Sequence, residues 1–121
     1  MYQASVPVFV RMLTNLVAIL EKAAAHADAR KIDPSVLVND RLFPDMFPLV
    51  RQLQLSTDFA KGACARLAGV EVPRYQDTEA SFADIRQRLK RTLEFMHALP
   101  KDKFAGAESR DVTVRVAGNQ V

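Results

Sequence analysis

The sequence has one cysteine, no tryptophan, two histidines and four glycines in 121 residues. One cysteine excludes an internal disulfide framework and fits a reducing compartment, so a cytoplasmic location is expected. Gly62, Gly69, Gly106 and Gly118 stand too far apart for a phosphate-cradling loop. His26 and His97 are isolated, and neither a histidine pair at helical spacing nor a second cysteine is present, so no metal or other cofactor is expected. Charge of one sign is also scarce. The surplus of +3, from 17 basic and 14 acidic side chains, attracts a polyanion only weakly. Long apolar runs are lacking as well. Val6 to Leu20 is cut by Arg11, Thr14 and Asn15, which argues against a membrane span and, with no small-residue cleavage site following, against a signal peptide.

What is present is a globular balance: 49% apolar and 26% charged residues in a length that suits one domain. The spacing predicts a first long helix from about Ser5 to Arg30. Ser5 is expected to cap it, and Pro7 to sit in its first turn. At ~100° per residue, Val6, Phe9, Val10, Leu13, Leu16, Val17, Leu20, Ala24 and Ala27 fall on one arc, with Met12 and Ile19 off it. Asp33-Pro34 reads as the cap and first position of a short turn through Val38. Asn39 to Pro48 reads as a loop packed by Leu42, Phe43, Met46 and Phe47.

A second long helix is expected from Asp45 or Met46 to Ala68, stopped by Gly69 in the left-handed conformation. A third follows a loop around Pro73. Asp77 or Thr78 caps it, Phe82, Ile85, Leu89, Leu93 and Met96 line it, and Leu99-Pro100 ends it. From Asp111 to Val116 the period changes to two, which reads as a short C-terminal strand. A lone strand leaves its backbone unpaired.

Pro44-Asp45-Met46-Phe47-Pro48-Leu49, then Gln52, Asp58-Phe59-Ala60-Lys61-Gly62 and Arg66-Leu67-Ala68-Gly69, resemble a bacterial family known as a domain of unknown function in the DinB/YfiT-like four-helix-bundle superfamily. Tyr2 to Leu20 and Asp77-Thr78-Glu79 to Phe82 look like it too. The resemblance implies an all-α antiparallel bundle: three long helices here, with the family's hairpin and fourth helix beyond this C-terminus. A single bundle domain over residues 1–121, incomplete at its C-terminus, is therefore expected. The superfamily includes metal-dependent thiol-transferase-like enzymes that use three histidines, one early in the second helix. Here that region offers Gln52 and Gln54.

Among chemistry-bearing residues, Cys64 lies on the apolar stripe of the second helix and reads as a small hydrophobe. Arg86, Arg88, Lys90 and Arg91 ring the third helix as a solvated face, without interleaved aromatics, so no nucleic-acid partner is expected. Gln52 and Ser56, one turn apart, are the candidate pocket for a small-molecule ligand in the bundle interior, or else an ordinary interhelical hydrogen bond. No catalytic residue is identified. The expectation is a cytoplasmic, non-catalytic, DinB-like protein that self-associates, with Val112, Val114 and Val116 near the contact. The alternative is a metal- or thiol-dependent transferase whose ligands lie beyond residue 121.

Overall fold

The computed structural model describes residues 1–116 and 119–120. Helix α1 spans Tyr2–Arg30, followed by α2 (Pro34–Val38), α3 (Leu49–Ala68) and α4 (Phe82–His97), then two 3-10 turns at Lys101–Phe104 and Ala107–Ser109. The three long helices form an all-α bundle. Val6, Leu13, Leu20 and Ala27, each seven residues after the last, are the buried seam of α1. α4 packs against both α1 and α3, and Ile85, Leu89 and Met96 carry its apolar stripe into the core.

Helix ends follow backbone chemistry. α1 begins at Tyr2, so Ser5 lies inside it and its hydroxyl donates to the Met1 carbonyl at 2.9 Å instead of capping. Pro7 lies beyond the first turn. Lys31 closes α1 in the left-handed region (φ 55°), with Ile32 N–H reaching Ala27 O at 2.9 Å. Gly69 (φ 65°) closes α3 the same way, with Val70 N–H on Ala65 O at 2.9 Å. Asp33 caps α2 through Ser35 N–H at 2.9 Å, and the same bond holds its carboxyl below the usual range.

Two boundaries differ from expectation. α3 starts at Leu49, after Pro48, because Asp40 to Phe47 forms a loop held by backbone and guanidinium hydrogen bonds: Leu49 N–H to Asp40 O at 2.9 Å and Arg41 Nη1 to Met46 O at 2.6 Å. Its apolar side chains do not pack it, since Leu42 and Phe43 are largely exposed. α4 starts after Ser81, because Ser81 and Asp84 form a reciprocal capping box that Asp77 and Thr78 cannot match. Asp84 accepts from Ala80 and Ser81 N–H at 3.1 and 3.0 Å, which lowers its pKa. Val70 to Ala80 is therefore an irregular segment crossing α3 and α4.

The short C-terminal strand over Asp111–Val116 is not present. Asp111 to Val114 form no strand. Among the described residues only a minimal ladder is found, two residues on each side, with Arg115 opposite Gln120 and Val116 opposite Asn119. Alternation alone cannot make a strand that has no neighbour to receive its hydrogen bonds. The segment before it is instead anchored by side chains. Tyr2 and Phe104 meet edge to face with centroids 5.1 Å apart, and Arg110 donates to the carbonyls of Leu67 and Lys103.

α1 also corrects the reading of its hydropathy. Its most apolar stretch has a mean hydropathy of 1.5, which makes the helix long and apolar enough, by length and composition, to cross a membrane. Arg11 alone does not lower the average enough to prevent this.

Candidate functional site

Arg88 sits on α4 between Ile85 and Leu89, and its side chain is 3% exposed. A buried guanidinium must have its donors filled. Nε donates to Thr57 Oγ1 at 2.7 Å and Nη2 to Asp58 Oδ1 at 2.8 Å, both on α3. Nη1 reaches Gln76 O at 3.1 Å, Glu79 Oε1 at 3.1 Å and Asp77 Oδ1 at 3.0 Å, all on the irregular segment. The network extends outward: Gln54 Nε2 donates to Glu79 Oε2 at 2.8 Å and Arg51 Nη1 to Asp77 Oδ2 at 2.6 Å. Burial works against the charged guanidinium. The hydrogen bond to Glu79 and the charges of Glu79, Asp58 and Asp77 outweigh it, and the Arg88 pKa lies above its ordinary value.

Tyr75 lies over this cluster. Its ring centroid is 4.8 Å from Lys61 Nζ, 5.4 Å from Arg88 Cζ and 4.3 Å from Arg91 Cζ. Lys61 is itself 6% exposed and pairs with Asp58 at 2.5 Å. Two open depressions of about 530 Å³ each flank the ring and share Arg74 and Tyr75 as lining. The basic run of α4 is thus divided: Arg86, Lys90 and Arg91 are exposed, whereas Arg88 is a buried hub. Sequence reasoning missed this because the hub's partners lie nine to thirty-one residues away. The available signal was a charged residue inside an apolar arc.

Gln52 and Ser56 are exposed on α3, and the Ser56 hydroxyl donates to the Gln52 carbonyl at 2.8 Å. Gln52 lines a cavity of about 370 Å³ with Ala23, Leu37, Leu42, Met46 and Phe47, and Ser56 is not part of its lining. The two residues do not converge on the bundle interior. His26 and His97 are exposed on different helices, and no group of three histidine, cysteine, aspartate or glutamate side chains close enough to hold a metal occurs among the described residues. Cys64 is fully buried, its thiol 3.7 Å from Met96 Sδ, and burial pushes its pKa up to about 11. That is the opposite of an activated nucleophile at neutral pH.

A second feature is an uncovered face. Met12 is 62%, Ile19 59% and Phe59 71% exposed. At ~100° per residue Met12, Ile19 and Ala23 share one side of α1, and Gln52 and Phe59 share one side of α3. Ala23 and Gln52 line the same cavity, so the two sides meet at that end.

A domain of unknown function (DUF1993) matches the chain over residues 1–121. A crystal structure of a DinB family member protein from Shewanella denitrificans is similar at 36% identity and a TM-score of 0.87, over 99% of this chain and 69% of that one. The curated proteins hold no match.

Proposed function

The chain belongs to the DUF1993 family, an uncharacterised DinB-like domain, and from that premise we infer a non-catalytic helical-bundle protein of the cytoplasm that self-associates through its open α1–α3 face. The observation that carries this reading is the exposure of Met12 and Ile19 on α1 and Phe59 on α3. Contiguous exposed apolar surface on a helical domain marks a contact surface. Met12 and Ile19 are seven residues apart, the repeat by which one helix seam meets its own copy across a two-fold axis. A second copy is therefore the occupant that needs no complementary surface from elsewhere.

The non-catalytic reading is supported by how the reactive groups are engaged. Arg88 and Lys61 are neutralised by Asp58, Asp77 and Glu79, and the Cys64 thiol stays protonated. The single buried cysteine agrees with a reducing cytoplasmic setting. The cavity beside the face, with Asp40 and Gln52 as its polar members among Leu37, Leu42, Met46 and Phe47, suits a small, mainly apolar ligand.

Sedimentation equilibrium over a range of concentrations tests self-association. A dimer or larger species at micromolar chain that Met12→Lys and Phe59→Lys each convert to monomer is the expected result. A compact monomer unaffected by either substitution overturns it. So does a monomer that floats with lipid vesicles through α1, because the face would then serve a bilayer instead of a second copy.

A further inference from the structure

We propose that the depression floored by Tyr75 binds a small oxyanion, a phosphate or carboxylate group, between Arg74 and Arg91. Arg74, Tyr75, Thr78, Gln87 and Arg91 line the depression, and Gln76, Glu79, Asp84 and Arg88 complete its wall. What decides the ligand is which of these groups still has hydrogen-bonding capacity. Glu79 is engaged by Arg88 and Gln54. Asp84 accepts from two backbone N–H groups at the start of α4. Arg88 is filled by Thr57, Asp58 and the irregular segment.

Arg74 and Arg91 differ. Both are exposed, and neither donates to a carboxylate among the described residues, whose ion pairs around this site run through Arg51, Lys61 and Arg88. Thr78 and Gln87 add neutral donors. The unspent capacity of the depression is therefore mostly donors carried on guanidinium forks, the geometry that grips carboxylate and phosphate oxygens in pairs.

Arg91 is also held in place. Its guanidinium carbon lies 4.3 Å from the Tyr75 centroid, a cation–π contact that restrains the side chain. Tyr75 is in turn set by the Arg88 hub beneath it, at 5.4 Å, and by Lys61 at 4.8 Å. A guanidinium already restrained by a ring loses less rotamer freedom on binding than a free one. Asp58 and Glu71 line the neighbouring depression, and the Asp58 carboxylate is already engaged by Arg88 and Lys61. The site also lies away from the open α1–α3 face. Residues 59 and 61 of α3 point ~200° apart, so binding and self-association are separable.

The test is a titration of the full chain with inorganic phosphate at constant ionic strength, followed by the arginine side-chain N–H resonances. Succinate is titrated in parallel. Saturable binding in the millimolar range or tighter is expected, with two arginine signals moving. Arg91→Gln should weaken it about tenfold, the loss of one charge-assisted bidentate contact. Arg86→Gln, on the same helix but outside this depression, should leave it unchanged. Tighter phosphate binding assigns a phosphate ligand and tighter succinate binding a carboxylate. Equal weakening by Arg86→Gln and Arg91→Gln would reduce the effect to general charge and overturn the site. Shifts that fail to saturate with either anion overturn it as well. A thermal melt of each variant guards against misfolding, and Arg74→Gln, on the irregular segment, repeats the test independently of α4.

Discussion

Arg88 Nη2 donates to Asp58 Oδ1 at 2.8 Å and thereby ties α4 to α3 across thirty residues of sequence. The same guanidinium holds Gln76, Asp77 and Glu79, so one side chain fastens the whole irregular segment between the two helices. The segment has no ladder or helix to hold it, and the hub anchors it through one backbone carbonyl, Gln76 O, and the Asp77 and Glu79 carboxylates.

Removing that hub is expected to be costly in a graded way. Arg88→Met leaves Glu79 without its cation, while Asp58 keeps Lys61 and Asp77 keeps Arg51, and uncompensated buried charge typically costs about 3–5 kcal/mol. Asp58 and Asp77 are 37% and 41% exposed and can rewet, which places the effect at the lower end of that range. Asp58→Asn should cost only about 1 kcal/mol, because its carboxylate is partly screened by solvent. Glu79→Gln, at a side chain 10% exposed, should fall between them. Chemical denaturation gives the order. Limited proteolysis at Arg74 should accelerate in Arg88→Met. Equal stability of the Arg88→Met and Asp58→Asn proteins would refute the hub.

The two helix stops make a matched pair. Gly69 and Lys31 both occupy the left-handed region, at φ 65° and 55°. A Cβ at Gly69 would lie 3.0 Å from Arg110 Nη1 and 3.1 Å from its Cζ, against a side chain that bonds the Leu67 carbonyl. Gly69→Ala should therefore lose about 1–2 kcal/mol from backbone strain and this crowding. Lys31→Gly should instead gain up to about 1 kcal/mol by relieving strain already present. Denaturant midpoints measured side by side decide it. Opposite signs are expected, and a loss of stability in both proteins would contradict the strain account.

The Gly69 stop was legible in the sequence because it depends on a few neighbouring residues, as does the Asp33-Pro34 start of α2, whereas the left-handed Lys31 carries no such residue signal. The apolar stripes were legible for the same reason: Val6, Leu13 and Leu20 on α1 and Ile85, Leu89 and Met96 on α4 repeat at helical spacing. The start of α4 was not legible, since Asp77, Thr78 and Ser81 are all capable caps and only the reciprocal bond from Asp84 selects Ser81. The strand expected from the valines at 112, 114 and 116 failed because a strand is a property of two segments. The Tyr75 depression was invisible for a related reason. Lys61, Tyr75, Arg88 and Arg91 come from two helices and a loop, and no local period marks residues that meet only in the folded chain. Gln52 and Ser56 are adjacent on α3 as their spacing implies, but spacing cannot tell which side of a helix its neighbours cover.

Cys64 provides a pH-dependent check on the core. Burial raises its pKa from 9.0 to about 11, so the folded protein holds the neutral thiol where the unfolded chain would release its proton. The neutral thiol's contribution is full below pH 9 and is lost as pH rises from 9 toward about 11, because the unfolded state gains by ionising first. The loss should be on the order of 2 kcal/mol at the upper end, at ~1.36 kcal/mol per pH unit. The informative quantity is the difference from Cys64→Ala at each pH, which isolates this thiol from every other group. That variant should be less stable than the native chain at pH 7, through the lost contact with Met96 Sδ, and should close the gap as pH rises. A thiol reagent at pH 8 gives the complementary measurement. Labelling should be slow in the native protein and immediate in guanidinium, since the thiol is both protonated and fully buried. Native-state labelling at the rate of a free thiol, or a stability gap that does not change with pH, would place Cys64 outside the packed core.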